Sequence, residues 1–444
     1  MPTCTGMGCR LGADFPETLM NTVMTQIPDE KLLKLADSYH TPLYVFEEAV
    51  IRSKCRELKI AITYPRVIIR YACKALTLQA ILKIIREEGL WIDASSLNEV
   101  LRALRAGFLP QEIYYTGEGA TLAVYEELTH RGVLINCTSL DQIRLLGKVP
   151  GCTVCSIRIN PGEGNGETNK TNTGGPSSKH GIYFNQIDEA KSVAQALGLR
   201  IIGVHAHIGS GGHDIEPWLR IKDLTLATAS KFPDLQFVNF GGGLPVVYDQ
   251  AKQKPMPVKD WGKALSESMV EFSKKMGREI TLQIEPGRYI VAHSGTLLAE
   301  VQAVKSTPEY RFVIVNTGLN HNIRPSMYGS FHPIRFARRN PSAGNDKHAY
   351  VVAGYLCESG DVFTVKNDGS GILEPREFHE LSVGDLMIMG CVGAYSHTMK
   401  NEYNSMNLPA SVLVSSDDSI RVIERRGTLN DIMLREFEAY NEGR

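Results

Sequence analysis

The sequence predicts an α/β protein in which a (β/α)₈ barrel is followed by a mostly antiparallel β domain. From about residue 65, short β-rich runs alternate with segments of helical spacing, and after about residue 295 the β-rich runs follow one another closely. At 444 residues the chain is long enough for two domains and a large core. A doubly wound open sheet is the alternative for the first part. We favour the barrel because polar and glycine-rich residues follow the C-terminal end of nearly every run, where barrel active sites lie.

Eight β-rich runs over roughly 225 residues form the predicted barrel, a length typical of the fold. They are VIIRYACKA (67–75), LWIDASS (90–96), EIYYTGE (112–118), VLINCTS (133–139), TVCSIRIN (153–160), IIGVHAHIGS (201–210), LQFVNFGGG (235–243) and ITLQIEPGR (280–288). Segments such as TLQAILKIIREEG and SLNEVLRALRAG separate them with helical spacing. Several of these segments end at a glycine (Gly89, Gly107, Gly132), as helix C-termini commonly do.

The second domain is predicted from runs that read as strands joined by tight turns. They include GTLLAEVQAVKS, RFVIVNTG, AYVVAGYLC, DLMIMGCVGAY, ASVLVSS and IRVIERR, with KNDGSG as a hairpin loop. A lone run, PLYVFEEAV (42–50), precedes the barrel, and its strand (42–48) is a candidate member of this second domain. We therefore predict an N-terminal extension at 1–40, a barrel at 41–295 and a β domain at 296–444.

Composition and charge exclude several classes of protein. The formal net charge is −1 and no basic run occurs, so neither nucleic acid nor an anionic membrane is an expected partner. No stretch is apolar for long enough to span a bilayer, and the N-terminus does not read as a secretory signal. The nine cysteines form no disulfide framework, which favours the cytoplasm. The pairs Cys4/Cys9 and Cys152/Cys155 lack the second half of any zinc pattern, so no metal site is predicted.

Lys74 is an unusual residue at the end of the first barrel run. Lysine normally lies at the surface, yet here it follows a run that reads as a buried strand. We expect desolvation to lower the pKa of this amine, and a neutral amine attacks carbonyls to form Schiff bases. The alternative is a lysine whose amine reaches the surface.

Three further motifs follow the last three barrel runs. NFGGGLP places three glycines, Gly241 to Gly243, where backbone N–H groups can approach a phosphate, although a tight turn would also explain them. HAHIGSGG supplies His207, whose imidazole can lie flat on an aromatic ring, and Ser210, whose hydroxyl can donate to phosphate. His205 and His207 share a strand face, and the alternatives for them are core residues or a metal pair. IEPGR supplies Glu285 and Arg288, for which a surface ion pair is the alternative.

The four motifs together predict a cofactor. An amine, an imidazole, a glycine-rich loop and a carboxylate at the tips of four strands are the groups needed to hold pyridoxal 5′-phosphate. The lysine would carry the aldehyde, the glycines the phosphate, and the glutamate would keep the pyridine nitrogen protonated so that the ring acts as an electron sink. The long Gly/Asn/Ser/Thr segment at 161–179 reads as a linker or, because such loops inside a domain are commonly functional, as part of this site.

Six motifs occur in the order found in one known family: YACKA, HIGSGG, NFGGG, EPGRYIVA, CESGDVF and GAYSHTM. Through them the chain resembles the barrel-type, pyridoxal-phosphate-dependent decarboxylases of basic amino acids, from about residue 40 to about 425. The resemblance implies a TIM barrel with a C-terminal β domain, the alanine-racemase-like architecture. NIRPSMYG (322–329) and the segment 160–182 resemble the branch of this family that acts on meso-2,6-diaminopimelate.

The resemblance also implies roles for individual residues. Lys74 binds the cofactor covalently, His207 stacks on its ring, and Glu285 faces the pyridine nitrogen. Phosphate is bound by Ser210, Gly242, Gly243 and the backbone at Gly287 and Arg288, and Tyr395 also reaches the cofactor. The family forms homodimers with shared active sites, so Cys357, the expected proton donor, and Glu358 would complete the site of the partner subunit.

The implied reaction is decarboxylation of meso-2,6-diaminopimelate to L-lysine and CO₂, the last step of lysine biosynthesis. A second amino-acid head needs an anion clamp and an ammonium acceptor: Arg288, Arg324 and Tyr328 supply the clamp, and Glu358 and Tyr395 complete the substrate contacts. The closest alternative is another amino acid with a distal anion, such as a siderophore intermediate or carboxynorspermidine. An alanine-racemase-like isomerase is less favoured because Cys357 suits decarboxylation, and a catalytically inactive binding protein would not need Lys74, His207 and Glu285.

Two departures from the family pattern bear on the substrate. This chain has EYNSMNLPASVLV where members of the family often have a sequence close to NYNSRPRPAEVLV. It also has Asn316 at a position where aspartate is common in the family. The first 25 or so residues have no counterpart in the family pattern.

Overall fold

A computed structural model describes residues 23–166, 169–339, 344 and 346–442, without the side chains of Asn169 and of residues 437–442. Cys4 and Cys9, considered as a metal pair and set aside, and most of the N-terminal extension lie outside these residues. Among the residues described, no helix combines the length and apolar character needed to cross a membrane.

The helices and strands alternate through the barrel as the sequence pattern predicts. The helices are α1 (Asp29–Tyr39), α2 (Glu48–Ala61), α3 (Gln79–Glu87), α4 (Leu97–Arg105), α5 (Leu122–Arg131), α6 (Leu140–Leu146), α7 (Ile187–Ala196), α8 (Glu216–Ala229), α9 (Val258–Met276), α10 (Arg288–Val291), α11 (Arg324–Tyr328) and α12 (Leu429–Glu442). The strands before residue 290 are β1 (Leu43–Glu47), β2 (Val67–Ala72), β3 (Trp91–Ala94), β4 (Ile113–Tyr115), β5 (Leu134–Cys137), β6 (Val154–Asn160), β7 (Ile182–Tyr183), β8 (Arg200–Ala206), β9 (Phe237–Asn239) and β10 (Thr281–Ile284).

The predicted barrel is confirmed. Strands β2, β3, β4, β5, β6, β8, β9 and β10 pair in parallel, and the β5–β6 and β10–β2 pairings close the cylinder. Each predicted run contains one of these strands, and the open-sheet alternative is wrong. The helix end predicted at Gly132 is confirmed. Gly132 caps α5 with a φ of 78°, a left-handed conformation that glycine adopts without a steric penalty.

A second sheet is mostly antiparallel. Its later strands are β11 (Gly295–Ser306), β12 (Arg311–Val315), β13 (Ile334–Ala337), β14 (Lys347–Ala353), β15 (Arg376–His379), β16 (Leu386–Met389), β17 (Ala410–Val414) and β18 (Ile420–Glu424). They follow the order β15-β14-β12-β11-β1-β17-β18, with β16 pairing with β11 and β13. Strand β1 lies between β11 and β17, so a segment that precedes the barrel in sequence belongs to this sheet.

Packing joins the described part of the N-terminal extension to the second sheet. Leu32, Leu35 and Ala36 on α1 are buried with Val45 of β1 and Leu298 of β11. Their spacing places them on one face of α1, as expected for a helix that covers an apolar surface. Apolar burial at about 25 cal/mol per Å² makes such a face the main contribution of this helix to stability.

Candidate active site

A cavity of about 420 Å³ lies at the carboxyl ends of the barrel strands. Eleven of the thirteen residues predicted to form the site line it: Lys74, His207, Ser210, Gly242, Gly243, Glu285, Gly287, Arg288, Arg324, Tyr328 and Tyr395. The cavity is lined by residues in or directly after seven barrel strands (β2, β3, β4, β6, β8, β9 and β10) and by the second domain, as expected for a barrel whose strands all end at one face. The other two predicted residues, Cys357 and Glu358, are exposed and do not line the cavity of their own chain.

Lys74 lies in a short helical turn, Cys73–Ala75, that follows β2, and its side chain is exposed to the cavity. The surrounding protein desolvates the ammonium and lowers its pKa, but the charges of Tyr395, Asp93 and Glu285 outweigh this effect, and the pKa of Lys74 is raised overall. The expectation of a lowered pKa in this chain is therefore wrong. Desolvation alone was considered, whereas the neighbouring acidic groups favour the charged amine.

Glu285 is a buried, ionised carboxylate at the end of β10. Burial raises its pKa, but His205, Lys74 and a hydrogen bond from Asn239 lower it to about 2. Asn239 Nδ2 donates to Glu285 Oε1 at 2.6 Å, and His205 Nε2 lies 3.2 Å from Oε2 in ion-pair geometry. A fixed negative charge therefore faces the cavity at neutral pH.

A chain of polar contacts across the barrel interior orients His205. Ser156 Oγ donates to Asn136 Oδ1 at 3.0 Å, and Asn136 Nδ2 lies 2.8 Å from His205 Nδ1. Because an amide nitrogen can only donate, His205 Nδ1 accepts and the ring carries its proton on Nε2, toward Glu285. The two histidines of HAH therefore have separate partners, and no group of three or more His, Cys, Asp or Glu in the described chain is arranged to hold a metal ion.

His207 and the glycine-rich loop hold each other. The N–H of Gly242 donates to His207 Nδ1 at 3.2 Å, and desolvation keeps the pKa of this imidazole well below its usual value, so the ring is neutral. A side chain on Gly242 would overlap the carbonyl oxygen of Glu285, and one on Gly243, at a φ of 95°, would overlap that of Gly209. Only glycine permits this close approach of two loops at the cavity wall.

Ser210, Arg288 and Tyr395 line the cavity together, and Arg288 also contacts Tyr248. Arg288 Nε donates to Ser210 Oγ at 3.1 Å, and Nη1 donates to Tyr248 Oη at 2.9 Å. The guanidinium also lies 5.2 Å from the ring centre of Tyr395. Tyr395 has a φ of 69°, rare for an aromatic residue, and its N–H donates to Ala75 O at 2.9 Å. The second domain is thus fastened beside the turn that carries Lys74.

Arg324 and Tyr328 come from α11 of the second domain and close the cavity on that side. Arg324 is 2% exposed. The segment 161–181 also lines the cavity, through Thr171, Thr173 and His180. Its described residues Gly166 and Asn172 pair with the loop after β8, and Ser210 N donates to Thr171 O at 3.1 Å.

Cys357 and Glu358 lie on a turn after β14. Cys357 N donates to Asn404 Oδ1 at 3.2 Å, and the buried Asp361 accepts from Leu319 N at 2.6 Å and from Leu356 N at 2.9 Å. The turn is therefore fixed at its base while the side chains of Cys357 and Glu358 are exposed. Cys152 and Cys155, the other cysteine pair considered, are free thiols in the barrel.

Sequence reasoning missed several cavity residues, notably Asp93, Arg158 and the pair Glu118–His180. Asp93 lies inside the run LWIDASS, next to the last residue of β3, and burial together with Glu285 raises its pKa well above the usual value. His180 Nδ1 lies 2.6 Å from Glu118 Oε1. Asp93 and Arg158 are both charged residues inside apolar runs, and this was the available signal for them.

The site fits the group that the motifs predict. Asp93 and Arg158 line the cavity, and one buried polar atom of each, Asp93 Oδ1 and Arg158 Nε, has no hydrogen-bond partner among the described residues. Buried polar atoms of this kind are rare unless a ligand or water completes them. With the Lys74 amine, the neutral His207 and the ionised Glu285, they form a donor set suited to an aldehyde, a ring nitrogen and a phosphate.

Comparison with known proteins points to one family. The model of the pyridoxal binding domain of pyridoxal-dependent decarboxylases matches residues 48–292. Diaminopimelate decarboxylase of Escherichia coli K12 is 35% identical over 433 residues, 95% of this chain and 100% of the relative. The enzyme of the same name from Methanothermobacter thermautotrophicus is 36% identical over 414 residues, 90% of this chain and 92% of the relative.

Solved structures agree with this result. A crystal structure of diaminopimelate decarboxylase matches with a TM-score of 0.86 at 34% identity, covering 94% of this chain and 99% of that one. Diaminopimelate decarboxylase from Helicobacter pylori complexed with L-lysine matches with a TM-score of 0.82 at 29% identity, covering 91% and 99%.

Proposed function

The chain belongs to the pyridoxal-dependent decarboxylases, and we propose that it removes CO₂ from meso-2,6-diaminopimelate to yield L-lysine, the last step of lysine biosynthesis. The observation that carries this proposal is the cavity itself: Lys74, Glu285 and Arg324 meet in one space, in a chain whose relatives over nearly its whole length are diaminopimelate decarboxylases. The reaction is that of a carboxy-lyase.

Pyridoxal 5′-phosphate, when bound, supplies an electron sink that accepts the electron pair left by the departing CO₂. Lys74 Nζ is the attachment point for its aldehyde, and the raised pKa means that this amine must first lose a proton. Ser210, Gly242, Gly243, Gly287 and Arg288 would hold the phosphate, and Tyr395 would also contact the cofactor. The neutral His207 would contact the ring, and Glu285 would favour a proton on the ring nitrogen because its own low pKa leaves it ionised.

At the far end of the substrate, Arg324, Tyr328 and Arg288 bind the carboxylate that is retained in the product. Arg324 is suited to this task because a planar guanidinium can form two parallel hydrogen bonds to a carboxylate.

We further propose a homodimer in which Cys357 and Glu358 complete the cavity of the partner subunit. Cys357 would deliver a proton to the substrate carbon that loses CO₂, and Glu358 would accept the distal ammonium group. Their exposure on a fixed turn, outside the cavity of their own chain, supports this arrangement. We place the enzyme in the cytoplasm, with a small amino-acid substrate as its partner and neither nucleic acid nor membrane.

Two measurements test the proposal. We expect CO₂ release from meso-2,6-diaminopimelate, and much slower release from ornithine, lysine and carboxynorspermidine; absence of turnover with diaminopimelate would refute the substrate. We also expect borohydride reduction of the cofactor-loaded protein, followed by peptide mass mapping, to find the adduct on Lys74. An adduct on a lysine other than Lys74 in the wild type would refute the assignment of Lys74.

A further inference from the structure

A second cavity lies at the opposite end of the barrel from the candidate active site. It has a volume of about 490 Å³, and its lining includes residues at the start of barrel strands, such as Ile68 of β2, Leu134 of β5 and Thr281 of β10. Side chains two apart on a strand point to the same side of a sheet, here into the barrel. On β2, Ile68 and Arg70 line this cavity, whereas Ala72 lines the active site. The two cavities are therefore the two ends of one barrel interior.

Arg70 is a buried cation in the wall of the second cavity. It is 2% exposed. Its Nε donates to Gln283 Oε1 at 2.9 Å, and its Nη1 donates to the carbonyl oxygens of Ile92, at 3.4 Å, and Glu112, at 3.2 Å. These acceptors are neutral, and no described residue accepts from Nη2 or forms an ion pair with the guanidinium. A buried donor without an acceptor is costly unless a ligand or water completes it.

Two aromatic rings orient the guanidinium of Arg70 without neutralising it. The guanidinium carbon lies 5.1 Å from the ring centre of Trp91 and 5.0 Å from that of Tyr114, both within cation–π distance. Burial lowers the pKa of Arg70 to about 10, although Tyr114, Glu285 and Asp93 oppose this effect from beyond hydrogen-bonding contact. The group therefore carries its positive charge at neutral pH, and the N–H groups of Nη2 are left for an anion in the cavity.

The rest of the lining is suited to an apolar molecule. Four apolar side chains that pack against one another line the cavity: Leu134, Val154, Ile202 and Phe237. The polar side chains beside them, such as Gln236 and Thr281, are neutral. None of the lining residues within the described chain is acidic, so an ammonium group would find no charged acceptor there. This chemistry favours a carboxylate with a hydrocarbon body over an amino acid.

Positive charge predominates at the entrance to the cavity. Gln236 and Thr281 are shared with an adjoining surface pocket of about 390 Å³. The charged side chains that line this pocket are three arginines and two acids: Arg66, Arg200, Arg278, Asp234 and Glu279. Clusters of charge with one predominant sign raise the local concentration of ions of the opposite sign. An anion would therefore be drawn toward the entrance before it reaches Arg70.

We propose that the second cavity is a binding site for a small carboxylate with an apolar body. The carboxylate accepts from Arg70 Nη2, and the hydrocarbon part contacts the cluster of four apolar side chains. The site is separate from the candidate active site, and the inference does not depend on the proposed function. Because β2 leads to Lys74 and β10 leads to Glu285, the ligand lies against the two strands that end at these active-site residues.

Trp91 provides an optical signal for this site, and the test uses the cofactor-loaded enzyme. The probe is 4-methylpentanoate, and 4-methylpentanamide is its uncharged match. We expect the carboxylate to change the tryptophan fluorescence saturably and to bind at least about tenfold more tightly than the amide in calorimetry, the scale of one charge-assisted hydrogen bond. The fluorescence change should be lost in Trp91→Phe, because Trp218 and Trp261 line neither cavity, while the calorimetric affinity stays within about threefold.

Two variants test the role of charge. Arg70→Met removes the cation at similar volume and should weaken the carboxylate at least about tenfold while changing the amide less than about twofold. Gln236→Glu is an exposed, isosteric change at the entrance, and its negative charge should weaken the carboxylate about threefold and leave the amide unchanged. Gln195→Glu is the matched control, since it adds the same charge at an exposed position on α7 that lines neither cavity, and it should change neither ligand.

Each remaining outcome would overturn the proposal. Equal affinity for the carboxylate and the amide, or wild-type affinity for the carboxylate in Arg70→Met, would show that Arg70 does not bind it. Calorimetric binding without a signal from Trp91 would place the carboxylate elsewhere, including the active site. Tighter binding of inorganic phosphate than of 4-methylpentanoate would refute the apolar half of the site. If Arg70→Met does not fold, the carboxylate-to-amide ratio and the comparison of Gln236→Glu with Gln195→Glu decide the question.

Discussion

Single residues at the base of the cavity obtain their charge state from their neighbours. Glu285 is ionised because His205, Lys74 and Asn239 stabilise its negative charge, although burial alone would have neutralised it. Lys74 is protonated for the complementary reason, since Tyr395, Asp93 and Glu285 surround it. The reactivity of each group in this chain is thus a property of the cluster and not of the residue type.

The low pKa of Glu285 predicts a pH-dependent contribution to stability. Its pKa is about 2 in the folded chain and 4.5 in the reference state, so ionised Glu285 stabilises the fold above pH 4.5, and this contribution is lost as the pH falls toward 2. We expect the stability difference between wild type and Glu285→Gln to shrink as the pH falls from 5 to 3, measured by urea unfolding at each pH.

Glu267→Gln is the control for that experiment, because Glu267 forms only a long contact of 3.8 Å with Lys263 and is 65% exposed. Surface pairs of this kind contribute little. The difference between wild type and Glu267→Gln should therefore stay nearly constant over the same range. A pH-independent difference for Glu285→Gln would contradict the assigned charge state.

Which residues form the site could be predicted only in part from the sequence. Lys74, the glycine loop and Glu285 directly follow barrel strands β2, β9 and β10. Because all parallel strands of a barrel end at the same face, the fold brings these residues together in one cavity. Arg158 lies inside its run, and nothing in the local pattern tells which of its neighbours faces the barrel interior. The charges of Lys74 and Glu285 depend on such inward-facing partners, and these become neighbours only when the strand registers are known.

At the scale of elements, the strand–helix alternation was sufficient to predict the barrel, since each predicted run contains a barrel strand. Strand β13 (Ile334–Ala337) and helices α1 and α12 were not predicted. β13 is short and only partly buried, and it is held by pairing with the distant β16. Tertiary pairing of this kind overrides a weak local propensity and leaves no signal in a single sequence.

The turn that carries Cys357 and Glu358 is held by one acidic residue, Asp361. Asp361 accepts two backbone N–H groups beneath it, and burial raises the pKa of this carboxyl to about 6. We expect Asp361→Ala to reduce kcat about tenfold or more, because displacing a proton donor by an ångström costs this much, while cofactor binding stays near the wild-type value. Steady-state kinetics and calorimetric titration with pyridoxal phosphate measure the two effects.

Asp361→Asn provides the comparison, because its amide oxygen still accepts one of the two N–H groups. It should lie between Asp361→Ala and the wild type in kcat. If Asp361→Ala instead lost cofactor binding and kept kcat among its loaded molecules, the turn would have a general structural role and not the proposed one of presenting Cys357.

At the scale of the whole molecule, the proposed site needs two residues that one chain does not bring to its own cavity. The barrel supplies the groups proposed to hold the cofactor, and α11 supplies Arg324, but Cys357 and Glu358 are exposed away from the cavity of their own chain. A twofold dimer would bring the turn of each chain to the cavity of the other, because an isologous interface exchanges the same contacts in both directions. The second domain would then serve two sites at once.

This arrangement predicts complementation between two inactive variants. Lys74→Ala lacks the cofactor attachment and Cys357→Ala lacks the proton donor, so each homodimer has two defective sites. If the two are mixed under conditions of subunit exchange, half the dimers are mixed, and one of the two sites in each mixed dimer combines an intact Lys74 with an intact Cys357, which restores about a quarter of the wild-type activity. The measurement is CO₂ release before and after exchange, with exchange followed independently by mass spectrometry of differently labelled subunits.

The double variant Lys74→Ala/Cys357→Ala, mixed with an equal amount of wild type, is the control. In a mixed dimer each site combines one defective group with one intact group, so neither site is whole. Only the wild-type dimers remain active, and activity should fall from half of the wild-type value before exchange toward a quarter after it. Exchange without recovery in the first mixture would place both groups in the same chain's site and refute the shared cavity.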